Sequence, residues 1–475
     1  MQKRLPVMSP ECHPHLVLLP SSGMGHLTPF LRLAASLAAH SAQVTLITAH
    51  PTVSLAESDT LERFCIAFPQ VTHQKMSIPP IGDAISFDDP FTLQYEAIRR
   101  SSHTLSPLLS SLSPPISAVV TDMSLTSVVI PITKELCLSN YILFTSSAKM
   151  LAIYATYHKI AADIEAEGEV FLVPGLGSIP KSWLPPPLLA QGHNLLKTHF
   201  LENGERFLHS NGILTNTFED LEKDSLAALN TGLVVNQLPS VIAIGPLPPC
   251  AFEAGEVATW LNDQPARSVL YVSFGSRAAI STKQMKELGN GLVGSGCKFL
   301  WVVKGRNVDR EDRAELEEMV GREILDKVNE KGLMLKTWMN QDQILSHTAI
   351  GGFLSHCGWN SVTEAIWHGV PILAWPQNAD QKINADLMKG NGVAIWEKSW
   401  GWGGQESVGE EEIAQKIKEL MENEMLRNKA EKIREKARSA LMPGGNSKNN
   451  LVGLIESSRQ TNSISKEASN QQNMY

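Results

Sequence analysis

One stretch of this 475-residue chain, residues 338 to 381, combines aromatic, acidic and amide side chains with short apolar segments. The apolar run at 350–355 is typical of a buried strand, and Asn360 and Ser361 follow it at the expected start of a helix. Free backbone N–H groups and the helix dipole make such a helix start a site for anions, phosphate among them. The stretch therefore predicts a phosphate site at a strand-to-helix turn.

Side chains suited to the other parts of a nucleotide sugar flank this predicted phosphate site. Trp338 offers an aromatic surface on which a base can stack, and Glu364 can accept hydrogen bonds from sugar hydroxyls. Asp380 and Gln381 close the stretch with two more groups for sugar hydroxyls. The alternative, a plain βαβ unit with Trp338 in its core, does not account for so many polar residues. Together these groups indicate a nucleotide-sugar site.

The same stretch resembles the signature segment of plant family-1 UDP-glycosyltransferases in its length, in both ends and in the central HCGWNS at 356–361. It departs from that family at Asn340, where proline is usual. YVSFGS at 271–276 also resembles the family, which implies that Ser276 and its neighbours contact the donor phosphates through backbone N–H groups. The resemblance implies these donor-binding residues: Trp338 for uracil, Gln341 and Glu364 for ribose, His356, Asn360 and Ser361 for the phosphates, and Trp359, Asp380 and Gln381 for the sugar.

The rest of the chain predicts the elements that position this stretch. Strand-like apolar runs alternate with helical segments in both halves, a pattern that favours an α/β fold with parallel sheets. A proline- and glycine-rich segment at 243–258 predicts a linker between a first domain at 1–242 and a second domain at 259–458. Residues 459–475 are polar without apolar periodicity, which predicts a disordered tail. The resemblance implies two facing Rossmann-like domains of the GT-B type with a cleft between them, and the last helices could pack back on the first domain.

Two residues at predicted strand ends in the first half could do acid–base chemistry. His26 lies in the turn after a strand at 15–20, and Asp122 ends a strand at 116–122. The carboxyl ends of parallel strands share one edge of a sheet, and a buried carboxylate there would hold one tautomer of the imidazole. Each residue alone is more often a helix cap, but the pair upstream of a donor segment favours catalysis. A dinucleotide site is not predicted, because no acidic residue ends the second strand at 43–50.

The family resemblance agrees with this pair, since His26 matches the catalytic base and Asp122 its supporting aspartate. It implies a single displacement in which His26 removes a phenolic proton and the acceptor attacks the anomeric carbon with inversion. General-base catalysis of this kind contributes roughly 10²–10⁴-fold in rate. We expect no cofactor beyond UDP-glucose as co-substrate, and no metal, because the histidines lack metal-ligand spacing with cysteines or carboxylates.

The acceptor side is predicted from less specific signals. Phe91, Met123, Phe144 and Phe200 could line an aromatic pocket, although each could equally belong to the core. Segments that resemble the flavonoid C-glycosyltransferase branch are GMGHLTPFLRLA at 23–34, HPTVSLAES at 50–58, DDPF at 88–91, FTSSAKM at 144–150, FLENG at 200–204, DQKINA at 380–385 and SWGWG at 399–403. This resemblance implies transfer of glucose, with which Gln381 is associated, to a carbon of a phloroglucinol-type ring such as a 2-hydroxyflavanone or a dihydrochalcone.

Three other functions remain open from the sequence. A flavonoid O-glucosyltransferase would share the fold and the donor site and would differ only on the acceptor side. A non-catalytic nucleotide-sugar binding protein is disfavoured by the intact His26 and Asp122 pair. A nicotinamide-dependent oxidoreductase is disfavoured by the missing acidic residue after the second strand.

Composition limits the partners and the location. Hydrophobic residues make up 43% and charged residues 19% of the chain, and the net charge is −8, with one short basic run that also carries acidic residues. This balance excludes a nucleic-acid partner. The apolar LVLLP at 16–20 is too short for a signal-peptide core or a membrane span, and the six cysteines are scattered, which indicates reduced thiols. We expect a cytoplasmic monomer that binds a UDP-sugar and an aromatic polyphenol without membrane insertion.

Overall fold

The computed structural model describes residues 13–79, 90–192, 194–250, 259–275, 280–303, 315–336, 339–403 and 405–472, with backbone alone at 90 and 460–472. These residues form two domains of the α/β class, and each domain is built on a parallel sheet packed against helices. No helix within these ranges is long and apolar enough to cross a membrane.

The first domain contains a seven-stranded sheet and a separate two-stranded hairpin. Its strands are β1 (His15–Leu19), β2 (Gln43–His50), β3 (Val71–Ser77), β4 (Ala118–Asp122), β5 (Ser139–Phe144), β6 (Val170–Val173), β7 (Gly177–Pro180), β8 (Gly212–Thr215) and β9 (Val241–Ala243). The sheet has the order β3-β2-β1-β4-β5-β8-β9 with parallel neighbours, and β6 and β7 form a separate antiparallel hairpin. The central strands are continuous apolar runs because both of their faces are covered, as the fully buried β1 and β4 illustrate.

Helices connect these strands and cover the sheet. They are α1 (Met24–Ala38), α2 (Leu55–Ala67), α3 (Pro90–Arg100), α4 (Leu105–Ser111), α5 (Thr126–Glu135), α6 (Ala148–Glu165), α7 (Pro186–Leu189), α8 (Leu195–Arg206) and α9 (Glu219–Asn230). Pro29 is the sixth residue of α1, so its missing N–H leaves the Gly25 carbonyl without its usual donor within the helix. Ser147 caps α6 by accepting a hydrogen bond from the Met150 N–H at 3.2 Å.

The second domain repeats this architecture on a six-stranded sheet. Its strands are β10 (Val269–Ser273), β11 (Lys298–Val302), β12 (Leu333–Leu335), β13 (Ile350–Ser355), β14 (Ile372–Ala374) and β15 (Ala394–Trp396), in the order β12-β11-β10-β13-β14-β15. Its helices are α10 (Thr282–Gly294), α11 (Leu316–Val320), α12 (Arg322–Lys331), α13 (Gln341–Ser346), α14 (Trp359–His368), α15 (Gln381–Gly390), α16 (Glu410–Glu422), α17 (Glu424–Leu441) and α18 (Asn446–Gln472).

Each sheet has a point where the strand order reverses, and these points locate the cleft. In the first sheet β1 lies between β2 and β4, and in the second sheet β10 lies between β11 and β13. The connections that leave two adjacent strands in opposite directions open a crevice at the carboxyl ends of those strands, where ligands of such sheets bind. The residues after β1, β4, β10 and β13 are therefore the ones placed to contact ligands.

The boundary between the domains differs in detail from the predicted linker. Ile244 and Leu247 fall inside the predicted linker but belong to the apolar core of the first domain, and residues 251–258 lie outside the described ranges. Helix α18 returns to this first core through Leu451, Leu454 and Ile455. The helix continues to Gln472, where the sequence predicted disorder from residue 459. A helix nucleated by packing at its start can extend through a polar segment, because each added residue gains a backbone hydrogen bond.

Candidate active site

His26 is held at the end of β1 by a turn that requires glycine. Gly23, the residue before α1, has φ +97°, and a Cβ atom there would lie 2.9 Å from Cε1 of Phe91. His26 follows in the first turn of the helix, where it lines the cleft with a side chain that is 24% exposed. The turn therefore presents an imidazole to the cleft from the first domain.

Asp122 orients this imidazole from the neighbouring strand β4. Its Oδ2 atom lies 2.9 Å from Nδ1 of His26, and Oδ1 accepts hydrogen bonds from Ser21 Oγ at 2.9 Å and from the Ser124 N–H at 2.8 Å. Thr145 Oγ1 lies 3.1 Å from the same imidazole nitrogen. Because an ionised carboxylate only accepts hydrogen bonds, Nδ1 carries the proton, and proton exchange with a substrate would take place at Nε2.

A cavity of about 1060 Å³ lies between the two domains beside His26. Ligand cavities usually measure about 300–1,000 Å³, so this volume lies at the upper end of that range. The residues predicted for the donor that line it are Gln341, His356, Trp359, Asn360, Ser361, Glu364, Asp380 and Gln381. Trp338 and Ser276, also predicted for the donor, lie outside the described residues.

The turn after β13 places His356 between two glycines. A Cβ atom would lie 2.6 Å from Nε2 of the ring at Gly275 and 2.5 Å from it at Gly358, so neither position accepts a side chain without a shift. Burial lowers the pKa of His356 to about 4, against a smaller opposing effect of the Ser273 backbone. The imidazole is therefore neutral at pH 7 and offers hydrogen bonds without a charge.

Helix α14 begins directly after this turn and points its N-terminus at the cleft. Gly358 is the N-cap residue and has no side chain to occupy the first N–H groups, which leaves them for an anion. The Asn360 amide nitrogen lies 3.4 Å from the carbonyl oxygens of Met24 and Gly25, in the first turn of α1 beside His26. The Trp359 indole N–H donates to the Asn216 carbonyl at 3.0 Å, so this side chain, predicted to bind the sugar, also anchors α14 to the first domain.

A buried polar network surrounds Glu364, one turn further along α14. Its Oε1 atom accepts a hydrogen bond from Nη2 of Arg32 at 2.6 Å, and its Oε2 atom accepts one from the Gln341 amide at 2.7 Å. The same Gln341 nitrogen lies 2.9 Å from Ser361 Oγ. The structure thus brings together three residues predicted for the donor and adds Arg32, which no pattern in the sequence singles out.

Asp380 and Gln381 stand at the start of α15 with different surroundings. The Asp380 carboxylate accepts hydrogen bonds from Ser146 of the first domain and from the Asn384 amide. Enclosure of this carboxylate raises the pKa of Asp380, although part of the residue faces the cleft. The Gln381 side-chain oxygen accepts from the backbone N–H groups of residues 377 and 378, at 2.7 and 2.9 Å, and so shapes that loop.

The first-domain wall of the cavity includes a group of aromatic and other apolar side chains. Phe91, Met123 and Phe200, predicted for the acceptor, line it together with Tyr154, whose ring lies 4.2 Å from that of Phe200 between centroids. Met123 of this wall has its Sδ atom 3.6 Å from Thr145 Oγ1, which lies 3.1 Å from His26 Nδ1, so an aromatic ligand bound there would lie close to the imidazole.

Phe144 is a correction to the predicted acceptor residues. It has no exposed surface and does not line the cavity. Its ring packs edge-on against Tyr154 and Phe207, with centroids 5.8 and 6.1 Å away. Because side chains alternate between the faces of a strand, the last residue of β5 points into the core, a direction that composition alone does not reveal.

Comparison with known proteins places this site in a family. The model of UDP-glucoronosyl and UDP-glucosyl transferases matches residues 238–434. UDP-glycosyltransferase 708G2 of Citrus unshiu is 50% identical over 460 residues, which cover 94% of this chain and 97% of that protein. UDP-glycosyltransferase CGT of Oryza sativa subsp. indica is 46% identical over 446 residues, which cover 91% and 94%. The chain belongs to the UDP-glycosyltransferase family.

A solved structure confirms the fold of this UDP-glycosyltransferase. The crystal structure of LpCGTa in complex with UDP is similar with a TM-score of 0.84 and 44% identity, over 94% of this chain and 99% of that one. The predicted pair of facing Rossmann-like domains is thereby confirmed. The departure at Asn340 also has a structural explanation: its side chain accepts from the Gln343 N–H at 3.0 Å and caps α13, which begins at Gln341.

Two of the segments that resemble the C-glycosyltransferase branch contain residues that support the site of this UDP-glycosyltransferase. No pattern in the sequence singles out these residues. In HPTVSLAES, Glu57 accepts hydrogen bonds from the backbone N–H groups of Gly23, Val53 and Ser54 and so holds the turn before His26. In FLENG, Asn203 is fully buried. Its side chain accepts from the Ser127 N–H at 2.9 Å and donates to the Tyr95 hydroxyl at 3.3 Å, next to the acceptor wall. The two sequence segments indicated these regions of the site, but they did not indicate which side chain in each segment makes the contacts.

Proposed function

We propose that this protein transfers glucose from UDP-glucose, with inversion, to a ring carbon of a phloroglucinol-type flavonoid. The observation that carries the proposal is the placement of His26: its Nδ1 is bound to the buried Asp122, and its side chain stands where a polar wall and an aromatic wall of one cavity meet. A base so placed can contact the acceptor while the donor lies beside it. Family membership and the similarity to a UDP complex support UDP-sugar as the donor.

The donor-side geometry supports a specific orientation of UDP-glucose. Under the proposal the diphosphate lies at the N-terminus of α14, beside His356, Asn360 and Ser361. The ribose hydroxyls meet Glu364, and the glucose hydroxyls meet Asp380 and the loop that Gln381 shapes. This order places the anomeric carbon between the helix terminus and His26. The α14 dipole would then stabilise the negative charge of the departing UDP.

The proposed reaction is one displacement with a general base. His26 Nε2 removes the proton of a phenolic hydroxyl, and the electron pair becomes available on the ring carbon ortho to it. That carbon attacks the anomeric carbon from the face opposite UDP, the bond from the sugar to the phosphate oxygen breaks, and the configuration inverts. The attacked carbon then releases its proton to solvent, the ring becomes aromatic again as a phenolate, and the phenolate oxygen takes back the proton from the His26 imidazolium. Because one base of the chain is enough to activate the acceptor, we propose no metal and no cofactor.

Attachment to carbon rather than oxygen is the finer part of the proposal. Two similar proteins carry CGT in their names, namely the rice relative and the protein solved in complex with UDP. Two of the branch segments also pack around His26 and the acceptor wall. An O-glucosyltransferase is the alternative, because the same base serves both outcomes and the tilt of the acceptor ring decides which atom meets the sugar. A cytoplasmic location is proposed with it, on the ground of six scattered cysteines.

The test is incubation of the purified protein with UDP-glucose and phloretin, followed by acid treatment and fragmentation mass spectrometry of the product. We expect a product that survives acid and fragments across the sugar ring, as a C-glucoside does. A product that loses the whole sugar in acid would be an O-glucoside and would overturn the carbon assignment, leaving the donor site and the base unchanged. Absence of any transfer, with UDP binding intact, would overturn the proposed acceptor class.

A further inference from the structure

A buried arginine of the first domain contacts the carboxylate proposed to bind the ribose. Arg32 lies on α1, the helix that carries His26, and Glu364 lies on α14 of the second domain. Nη2 of Arg32 donates to Oε1 of Glu364 at 2.6 Å, and the two side chains are only 1% and 8% exposed. The pair therefore joins the two domains at the back of the cleft, out of contact with bulk water.

The charge and geometry of this pair bear on nucleotide binding. A buried carboxylate without a countercharge is costly, and hydrogen bonds from hydroxyls to an ionised carboxylate are stronger than those to a neutral group. Arg32 supplies the countercharge, while Gln341 holds the other carboxylate oxygen at 2.7 Å. Two opposed donors fix the plane of the Glu364 carboxylate before a nucleotide arrives.

We propose that Arg32 is a positioning residue for the nucleotide. It holds Glu364 in the orientation that accepts hydrogen bonds from the ribose hydroxyls, and it links this carboxylate to α1, the helix that carries His26. The inference rests on the proposed function through the ribose role of Glu364. It adds that donor recognition depends on a residue of the acceptor domain that has no place in the signature segment.

Ribose discrimination is the property that tests this role, because a merely structural defect would weaken all nucleotides alike. We would measure the binding of UDP and of 2′,3′-dideoxy-UDP by calorimetry. Hydrogen bonds to a charged group correspond to about ten- to hundred-fold in affinity, so the wild-type protein should prefer UDP by at least about ten-fold. Arg32→Met should reduce this preference to about two-fold or less, as Glu364→Gln should.

Two further variants keep the test independent of folding. Arg32→Lys retains the charge but loses the planar guanidinium, and it should show an intermediate preference for UDP. Arg267→Met removes the arginine of a more exposed ion pair, with Glu431, and should leave the preference unchanged. Melting temperatures of all variants would show which remain folded, and Arg32→Lys carries the test if Arg32→Met does not fold.

The possible results of these binding measurements distinguish a failure of the inference about Arg32 from a failure of the proposed function. Full preference for UDP in both Arg32 variants, with loss of preference in Glu364→Gln, would overturn the role of Arg32 and leave the ribose site standing. No preference in the wild-type protein would overturn the ribose role of Glu364 and the inference with it, although UDP binding would stand. No UDP binding at all would overturn the proposed function itself.

Discussion

At the scale of single residues, the proposed chemistry depends on one imidazole. His26→Ala should lower the rate of transfer by about 10²–10⁴-fold, because the acceptor loses the proposed general base. UDP binding should stay within about two-fold, since the residues proposed to contact UDP belong to the second domain. Steady-state kinetics and calorimetry with UDP would measure the two effects separately.

The control for this substitution is His209→Ala, an exposed histidine of the same domain that does not line the cavity. It should leave both the rate and UDP binding unchanged. Substantial turnover in His26→Ala would contradict the assignment of the base.

Two phenylalanines, predicted alike from the sequence, have different positions and should behave differently. Phe200 lines the cavity, whereas Phe144 is enclosed in the core. Phe200→Ala should raise the acceptor KM several-fold, while Phe144→Ala should lower the free energy of unfolding by about 3–5 kcal/mol. Acceptor kinetics and denaturant unfolding of the two variants form a matched pair. A raised acceptor KM in a folded Phe144→Ala protein would restore Phe144 to the acceptor site.

At the scale of secondary-structure elements, helix α2 supports the turn that carries His26. Glu57, 3% exposed, accepts from the Gly23 N–H on that turn and closes a capping box with Ser54 at the start of α2. Glu57→Gln replaces charged hydrogen bonds with weaker ones, so His26 should be held less firmly. We expect kcat to fall by about 10–100-fold with the donor KM unchanged, because misplacement of a reacting group costs rate before it costs binding.

The matched control is Asp59→Asn, which removes a carboxylate from an exposed position two residues further along α2. Its kinetic constants should equal those of the wild-type protein. Equal losses in kcat and donor affinity in Glu57→Gln would indicate general destabilisation of the domain instead of a role at the turn.

The elements also show what the sequence could and could not predict. The strand ends that carry His26 and Asp122 were predictable, because parallel strands with alternating helices place their carboxyl ends at one edge. Phe144 was not, because a buried strand has apolar residues on both faces and their spacing does not tell which face meets a cavity. Arg32 and Glu364 are 332 residues apart and belong to different domains, so no local pattern could pair them. The extent of α18 depends on its packing against the first domain, which composition does not register.

At the scale of the whole molecule, the contacts between the domains should make them unfold together. Besides the Arg32–Glu364 pair, the Trp359 indole N–H donates to the Asn216 carbonyl, and Lys149 forms an ion pair with Asp386 at 2.7 Å. Helix α18 begins after the second domain and completes the apolar core of the first. Loss of either domain would therefore expose apolar surface and buried charges of the other.

Leu454→Ala tests this coupling, because Leu454 of α18 is 3% exposed in the first-domain core. The substitution should lower the free energy of unfolding by about 2–5 kcal/mol. Nine of the ten tryptophans lie at or beyond residue 260, so their fluorescence reports the second domain, whereas circular dichroism reports both. Coupled domains should show the same shift in both signals, and Met442→Ala, at a 61% exposed position, should show none. A fluorescence transition that stays in place while the dichroism signal shifts would mean that the domains unfold separately and that the interdomain contacts serve the site alone.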